Sequence, residues 1–427
     1  MKLLVGVALS VSSVAAWNGS FKPSRVVVPT STAKQAIAIP LDQPAPSAPA
    51  RKLVDDEHAW VANLDYEGFH KEVSELGKQL IKETGDADVE HLEKIMKWRD
   101  AAAALGVLTM WMAPNPITVA ALSTWTYASW TMIAHHVCHG GYSSSRVNTS
   151  KYNSGGFALG SVFKRIQDWC DWMAPEAWNV EHNRLHHYHL GELKDPDLVQ
   201  RNLDFLRKKD IEMWKKYVVV GLLMPIWKWS YYAPNTYKEL QITKYKREND
   251  GELPPDFVAT DSLTVGAILN PKTPSEIAAR ELVKPFDFFL NVLGPFLFSR
   301  FLLLPMPLLL IPGVGPTFFG HAVLNLILAD MLTNIHGFAT IVTNHAGSDV
   351  YTFSDEVKPK SGAFYVRQVV GSVNYPTGGD INDFAHGWLN YQIEHHVSIN
   401  PIRIRLHLMI LWGRGKKPSI VSLIFHL

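Results

Sequence analysis

The residues best placed to do chemistry in this 427-residue chain are histidines, and they come in three clusters. The first reads His135-His136-Val137-Cys138-His139, the second His182-Asn183-Arg184-Leu185-His186-His187, and the third Gln392-Ile393-Glu394-His395-His396. His135 and His139, His182 and His186, and Gln392 and His396 are each four residues apart, so on a helix each pair shares one face. Neutral imidazole is the commonest protein ligand for mid-row metals. Adjacent residues on an α-helix project about 100° apart. The doublets His186-His187 and His395-His396 therefore each suit two different ions better than one. One zinc takes about four ligands and would leave most of these imidazoles unexplained. Two metal ions side by side account for them.

Apolar segments separate the clusters and must position them. Residues 101–113 and 117–134 are apolar and flank Pro114-Asn115-Pro116, and the second run ends directly at His135. Residues 214–233 are apolar and aromatic but carry Lys215, Lys216, Pro225 and Lys228. The longest apolar stretches are 286–311 and 317–343. If all three clusters meet on one side of a membrane, the chain crosses it an even number of times between 187 and 392. Three apolar segments lie in that interval, so one does not span. The lysine-bearing 214–233 is the expected exception, lying in the interface with its lysines snorkelling. The expected fold is all-α and integral to the membrane, with about four transmembrane helices (100–113, 117–134, 286–311, 317–343) and a helical, histidine-rich cap.

Polar residues inside a span are costly and usually functional. The last span contains Asn325, Asp330, Asn334 and His336 and runs into Asn344-His345. His345 can reach a site at the membrane face. His336 lies about 13 Å deeper at 1.5 Å per residue, where it is expected to line a cavity with Asn334. His321, at the opposite end, is not an expected ligand. His136, His189 and His386 lie beside the clusters, and Glu181, Asp195 and Glu394 are placed to orient ligand imidazoles.

Composition limits the alternatives. Lys+Arg is 41 and Asp+Glu is 40, which argues against a nucleic-acid partner. Two cysteines, Cys138 and Cys170, are too few for a disulfide framework. Residues 1–16 have a basic start, an apolar core and a small-residue end, as a signal sequence does, and 17–41 lack acidic residues. With the Pro/Ala-rich stretch at 44–50, residues 1–50 form an expected targeting region and linker. This region resembles the two-part plastid presequences of algae with secondary plastids, with entry to the endoplasmic reticulum as the alternative. Residues 51–99 are charged, with Leu76, Leu80 and Ile81 spaced as on a half-buried helix, and are expected to form a water-facing segment. Glu67 and His70 form a single ExxH, whereas soluble di-iron carboxylate proteins use two.

Boxes of the forms HxxxH, HxxxHH and QxxHH, split by paired apolar spans, resemble the membrane fatty acid desaturase superfamily across about residues 100–400. Gln392 at the head of the third box, and His386-Gly387-Trp388-Leu389-Asn390-Tyr391 before it, resemble the acyl-lipid front-end members. The resemblance implies two iron ions, O2 and two electrons, used to place a double bond in an acyl chain of a membrane lipid. The ligands it implies are His135, His139, His182, His186, His187, Gln392, His395 and His396, with His345 as the additional histidine after the last span. No HPGG haem motif of a fused cytochrome b5 is present, so the implied electron donor is a separate ferredoxin or cytochrome b5. Residues 401–427 form an atypical tail without an acidic residue, as a frameshift or retained intron would produce. A membrane hydroxylase or carotenoid-modifying oxygenase shares the same box pattern. A haem electron carrier would instead need single histidines at mid-membrane, and a zinc hydrolase would carry zinc without iron.

Overall fold

A computed structural model of the chain describes residues 64–83, 85–142, 150–207, 211–347 and 350–397. The targeting region and the tail of 401–427 lie outside the described residues. From Tyr66 onward the described chain belongs to one compact unit. It is helical, and among the described residues the one β-type pairing is an isolated bridge between Glu192 and Phe353.

Helix α1 (Tyr66–Glu83) buries Val73 and Leu80, and its N-terminus abuts Gly362, where a Cβ would lie 2.1 Å from the Tyr66 carbonyl oxygen. His70 of the ExxH stacks on Tyr365 with ring centroids 5.5 Å apart, which accounts for it structurally. Helix α2 (Asp86–Thr109) runs unbroken past residue 99, and its Leu92 and Ile95 join the main core. Asn115 caps helix α3 (Pro116–Tyr127) by accepting from Thr118 N at 3.0 Å, with Pro116 in the first turn. Gly106 lets α2 and α3 approach closely, because a Cβ there would lie 2.7 Å from Leu122 Cδ2. α3 continues through a π-helical stretch (Ala128–Ala134) into α4 (His135–Cys138).

Two helical segments are long and apolar enough to cross a membrane, Pro285–Leu310 and Gly315–His345. The second is mostly helix α8 (Gly315–Ile341). Polar side chains fasten it to the α2–α3 hairpin along its length. Asn325 Nδ2 donates to the carbonyls of Met110 and Met112 at 3.0 Å, Ser123 and Thr333 bond at 3.0 Å, and Tyr127 and Thr340 bond at 2.7 Å. Leu324, Ile327, Leu328, Leu332 and Ile335 of α8 face outward. The apolar runs thus supply an outer apolar surface, and the polar residues inside them make contacts between helices.

Charges are also buried at this level. Arg300 Nε lies 3.2 Å from Asp330 Oδ1, and Trp172 Nε1 donates to Asp330 Oδ2 at 3.0 Å. Lys228 pairs with Asp171, and both are buried. This corrects the expected snorkelling of Lys228, because its carboxylate partner comes from the polar region after the first box and holds the ammonium inside. Lys215 is exposed and pairs with Glu212 at 2.6 Å. The 214–233 stretch is not one helix. It comprises α6 (Met213–Leu223), a turn at Pro225, and a π-helical Lys228–Tyr232 that leads into α7 (Ala233–Glu248). α5 (Pro175–Val180) packs on α7 and precedes the second box. The remaining pieces used below are α9 (Gly362–Val370), α10 (Asp380–Ala385) and α11 (Gln392–Val397).

Candidate metal centre

The three boxes arrive on three separate backbones. The first box sits on α4, at the end of the α3 helix. His182 to His186 of the second lie in a π-helical turn, Glu181–His186, that continues α5, and His187 opens the short helical piece after it. The wider turn departs from the 3.6-residue helix the sequence suggested, and such turns are frequent at functional sites. The third is α11, whose start is tied to the end of the last apolar helix. Asn344 Nδ2 donates to Leu389 O at 2.7 Å and to Gln392 Oε1 at 3.3 Å.

All nine residues expected as ligands converge. The donor nitrogens of His135, His139, His182 and His395 lie within 4.8 Å of one another, and so do those of His186, His345 and His396. His187, His395 and His396 meet the same limit and lie between the two groups. The His395-His396 doublet is split between the groups, while of His186-His187 the first belongs to the second group and the other bridges the two. The rings of His186 and His187 are inclined at 82° with centroids 5.7 Å apart, and those of His395 and His396 at 71° and 5.2 Å.

The spacing of the donor atoms tests whether metal fits. Two imidazole nitrogens about 2.1 Å from one ion, at angles between 90° and tetrahedral, stand about 3.0–3.4 Å apart. The Nε2 atoms are 3.1 Å apart for His187–His395, 3.2 Å for His182–His187 and 3.3 Å for His135–His395. In the second group, Gln392 Nε2 is 2.9 Å from His345 Nε2 and 3.1 Å from His396 Nε2. A carboxamide ligates through oxygen, and turning this amide by 180° puts Oε1 at the same place. Burial, followed by the neighbouring imidazoles, holds His182 and His396 well below the usual histidine range. Both rings are therefore neutral and keep a lone pair for a cation. The donor set fits two adjacent mid-row metal ions.

A polar layer lies behind the imidazoles. His186 Nδ1 is 2.8 Å from Asp195 Oδ1, and that carboxylate also accepts from Gly191 N at 3.0 Å and Asp197 N at 2.9 Å. Burial lowers the pKa of His186, but Asp195 outweighs it and the net shift is upward. Asp195 moves the other way, with burial raising it and His186 and the backbone donors bringing it below the usual carboxylate range. Burial and the adjoining Asp197 hold Glu181 well above its usual range. Glu394 accepts from Asn374 Nδ2 at 2.9 Å, and His189 Nδ1 meets Glu192 at 2.8 Å. The ring of buried His136 is 5.5 Å from that of His135.

Other expectations are redirected. His336 is outside the cluster, stacks on Tyr127 at 3.9 Å, and faces the Ala385 carbonyl. Asn334 is fully buried and bonds Pro225 and Trp227. His386 Nδ1 faces Asn382 O, and His321 faces Trp111 O. Two contributors went unread in the sequence. Asp197 shares a donor group with His182 and His186, and Asn344 holds α11. Their signals were available, since Asp195-Pro196-Asp197 follows the second box and Asn344 precedes His345.

Comparison with known proteins agrees with the histidine geometry. The fatty acid desaturase profile matches residues 109–400. The NADPH-dependent stearoyl-CoA 9-desaturase of Mycobacterium tuberculosis, in strains CDC 1551 / Oshkosh and ATCC 25618 / H37Rv, is 23% identical over 363 residues, covering 82% of this chain and 74% of that protein. No solved structure matches. With the profile spanning most of the chain and all three boxes, the protein belongs to the fatty acid desaturase family and is an oxidoreductase acting on fatty acids.

Proposed function

We propose that the protein is a multi-pass membrane desaturase that places a double bond in an acyl chain of a membrane lipid, as a front-end enzyme. The observation that carries this reading is the pair of adjoining imidazole groups, with His395 and His396 split between them and His187 bridging them. His135, His139, His182, His187 and His395 would hold one iron ion, and His186, His345, Gln392 and His396 the other. When bound, the two ions supply the redox chemistry by which O2, two electrons and two protons take two hydrogens from neighbouring carbons and leave as two waters. The protein's own residues orient and shield. Asp195 fixes the His186 ring, Asn344 holds the start of α11 through the Leu389 carbonyl, and Trp178, stacked on His182 at 4.5 Å, covers one side of the site and limits water there. Four membrane spans put the boxes on one face, with residues 100–400 as the desaturase domain. Electrons come from a separate ferredoxin in a plastid, or from cytochrome b5 in the endoplasmic reticulum. The mycobacterial relative is NADPH-dependent, which fits a reductant delivered through a partner.

Expression in yeast supplied with several fatty acids, with lipid classes separated before product analysis, tests the reading. New double bonds in lipid-bound chains are expected, and His395→Ala or His396→Ala abolishes them. Hydroxylated products would make the protein a sibling oxygenase. Full activity in either variant would remove that histidine from the site.

A further inference from the structure

Helix α6 (Met213–Leu223) contains no buried residue, although it is almost wholly apolar. Met213, Trp214, Tyr217, Val218 and Leu222 are exposed. Its polarity changes along the axis and not around it. Lys215 and Lys216 sit in its first turn beside Trp214 and Tyr217, and from Val218 to Ile226 there is no polar side chain. A helix lying flat at a water–lipid interface needs a polar face along its whole length, and α6 has none.

The far end of α6 is pinned to the last apolar helix. Asn334 Nδ2 donates to Pro225 O at 2.7 Å, and Trp227 Nε1 donates to Asn334 O at 2.7 Å. Asn334 lies 11 residues before His345, which places it about 16 Å below the metal-site end of that helix at 1.5 Å per residue. The 11 residues of α6 measure about the same length. The chain on either side of this excursion lies near the site. Asn202 donates to Pro196 O at 2.9 Å, and Tyr231 Oη donates to the same carbonyl at 3.4 Å, next to the Asp195 that holds His186.

We infer that α6 is a re-entrant half-span that enters the bilayer end-on from the metal-site face, turns at Pro225 beside Asn334, and returns through Lys228–Tyr232, its exposed sides covered by lipid acyl chains. Lys215, Lys216, Trp214 and Tyr217 then lie among the headgroups, where lysine and aromatic residues belong. Backbone left without a partner is not tolerated at this depth, and the Pro225 carbonyl meets that condition through Asn334. The inference rests on Gly315–His345 crossing the membrane. It also keeps the count of crossings even, because a re-entrant segment leaves by the face it entered.

Nitroxide labels on Lys215→Cys, Val218→Cys, Leu222→Cys and Leu328→Cys test this in the full-length protein, reconstituted into phosphatidylcholine–phosphatidylglycerol nanodiscs. The native Cys138 and Cys170 are buried and out of reach of the label. Collision with oxygen relative to a water-soluble nickel chelate should rise steadily from 215 through 218 to 222. Leu328, exposed on α8, is the control for the membrane reading itself. If labels at 328 and 222 both meet the chelate freely, Gly315–His345 does not cross and the wider reading falls. If 328 is in lipid while 222 meets the chelate as 215 does, the re-entrant segment alone is refuted. Shielding of 222 from both reagents, with spin–spin broadening, would assign the face to a second copy of the chain and also refute it.

Discussion

Replacing Asp195 with asparagine separates the two halves of the proposed centre. The carboxylate is buried, and its Oδ1 faces His186 Nδ1 at 2.8 Å and Asp197 N at 2.9 Å while Oδ2 accepts from Gly191 N at 3.0 Å. An amide has only one oxygen. If that oxygen keeps His186, the new NH2 opposes the Gly191 N–H, and if it keeps Gly191, the imidazole loses its acceptor. Either way the negative charge that makes His186 more basic is gone. Loss of such an outer partner typically lowers metal affinity about 10–100-fold, or about 1.4–2.7 kcal/mol. His186 groups with His345 and His396 and not with His135 or His139. Only one of two iron equivalents should therefore weaken. Anaerobic titration of stripped Asp195→Asn protein with ferrous iron, beside the parent, reads this directly, with far-UV circular dichroism as the control for folding. An unchanged isotherm would remove Asp195 from the centre, and equal weakening of both equivalents would refute the division into two groups.

Two further substitutions probe the frame. Asp330→Ala leaves buried Arg300 without its carboxylate and the Trp172 N–H without its acceptor, and should cost about 3–5 kcal/mol in unfolding experiments in detergent; adding Arg300→Met should recover part of that loss. Gly387→Ala forces a side chain onto a backbone at φ +65° and puts its Cβ 2.8 Å from Tyr127 Oη, so the melting temperature should fall by the equivalent of about 1–3 kcal/mol, and an unchanged value would show that the loop before the third box relaxes freely.

The chemistry was largely legible in the sequence because its signal is spacing. His135/His139, His182/His186 and Gln392/His396 repeat one interval, and the doublets alone asked for two ions. The parity of apolar segments set 214–233 apart, and the structure breaks that stretch into α6, a turn at Pro225 and a π-helical piece. What escaped depends on partners distant in sequence. Lys228 reads as an interfacial lysine until Asp171, 57 residues away, is seen beside it. Asn334 reads as a cavity residue until Pro225 is placed against it. The π-helical turns before the first box and through the second reflect a choice of backbone hydrogen-bond partner, which leaves no mark in composition.

The contact between His135 and His395 joins residues 260 positions apart in the chain. At about 5–20 residues per second, a ribosome takes on the order of 10 to 50 seconds to make that interval. Throughout it, the histidines of the first box, and later those of the second, wait without the residues that complete their donor sets. A cation captured early would be held by a partial set and lost readily. Under the proposed assignment, metal loading would wait until α11 meets Asn344 and the last imidazoles arrive together. A chain that stops short of the third box would lack His395 and His396, one donor from each group, whatever the supply of iron.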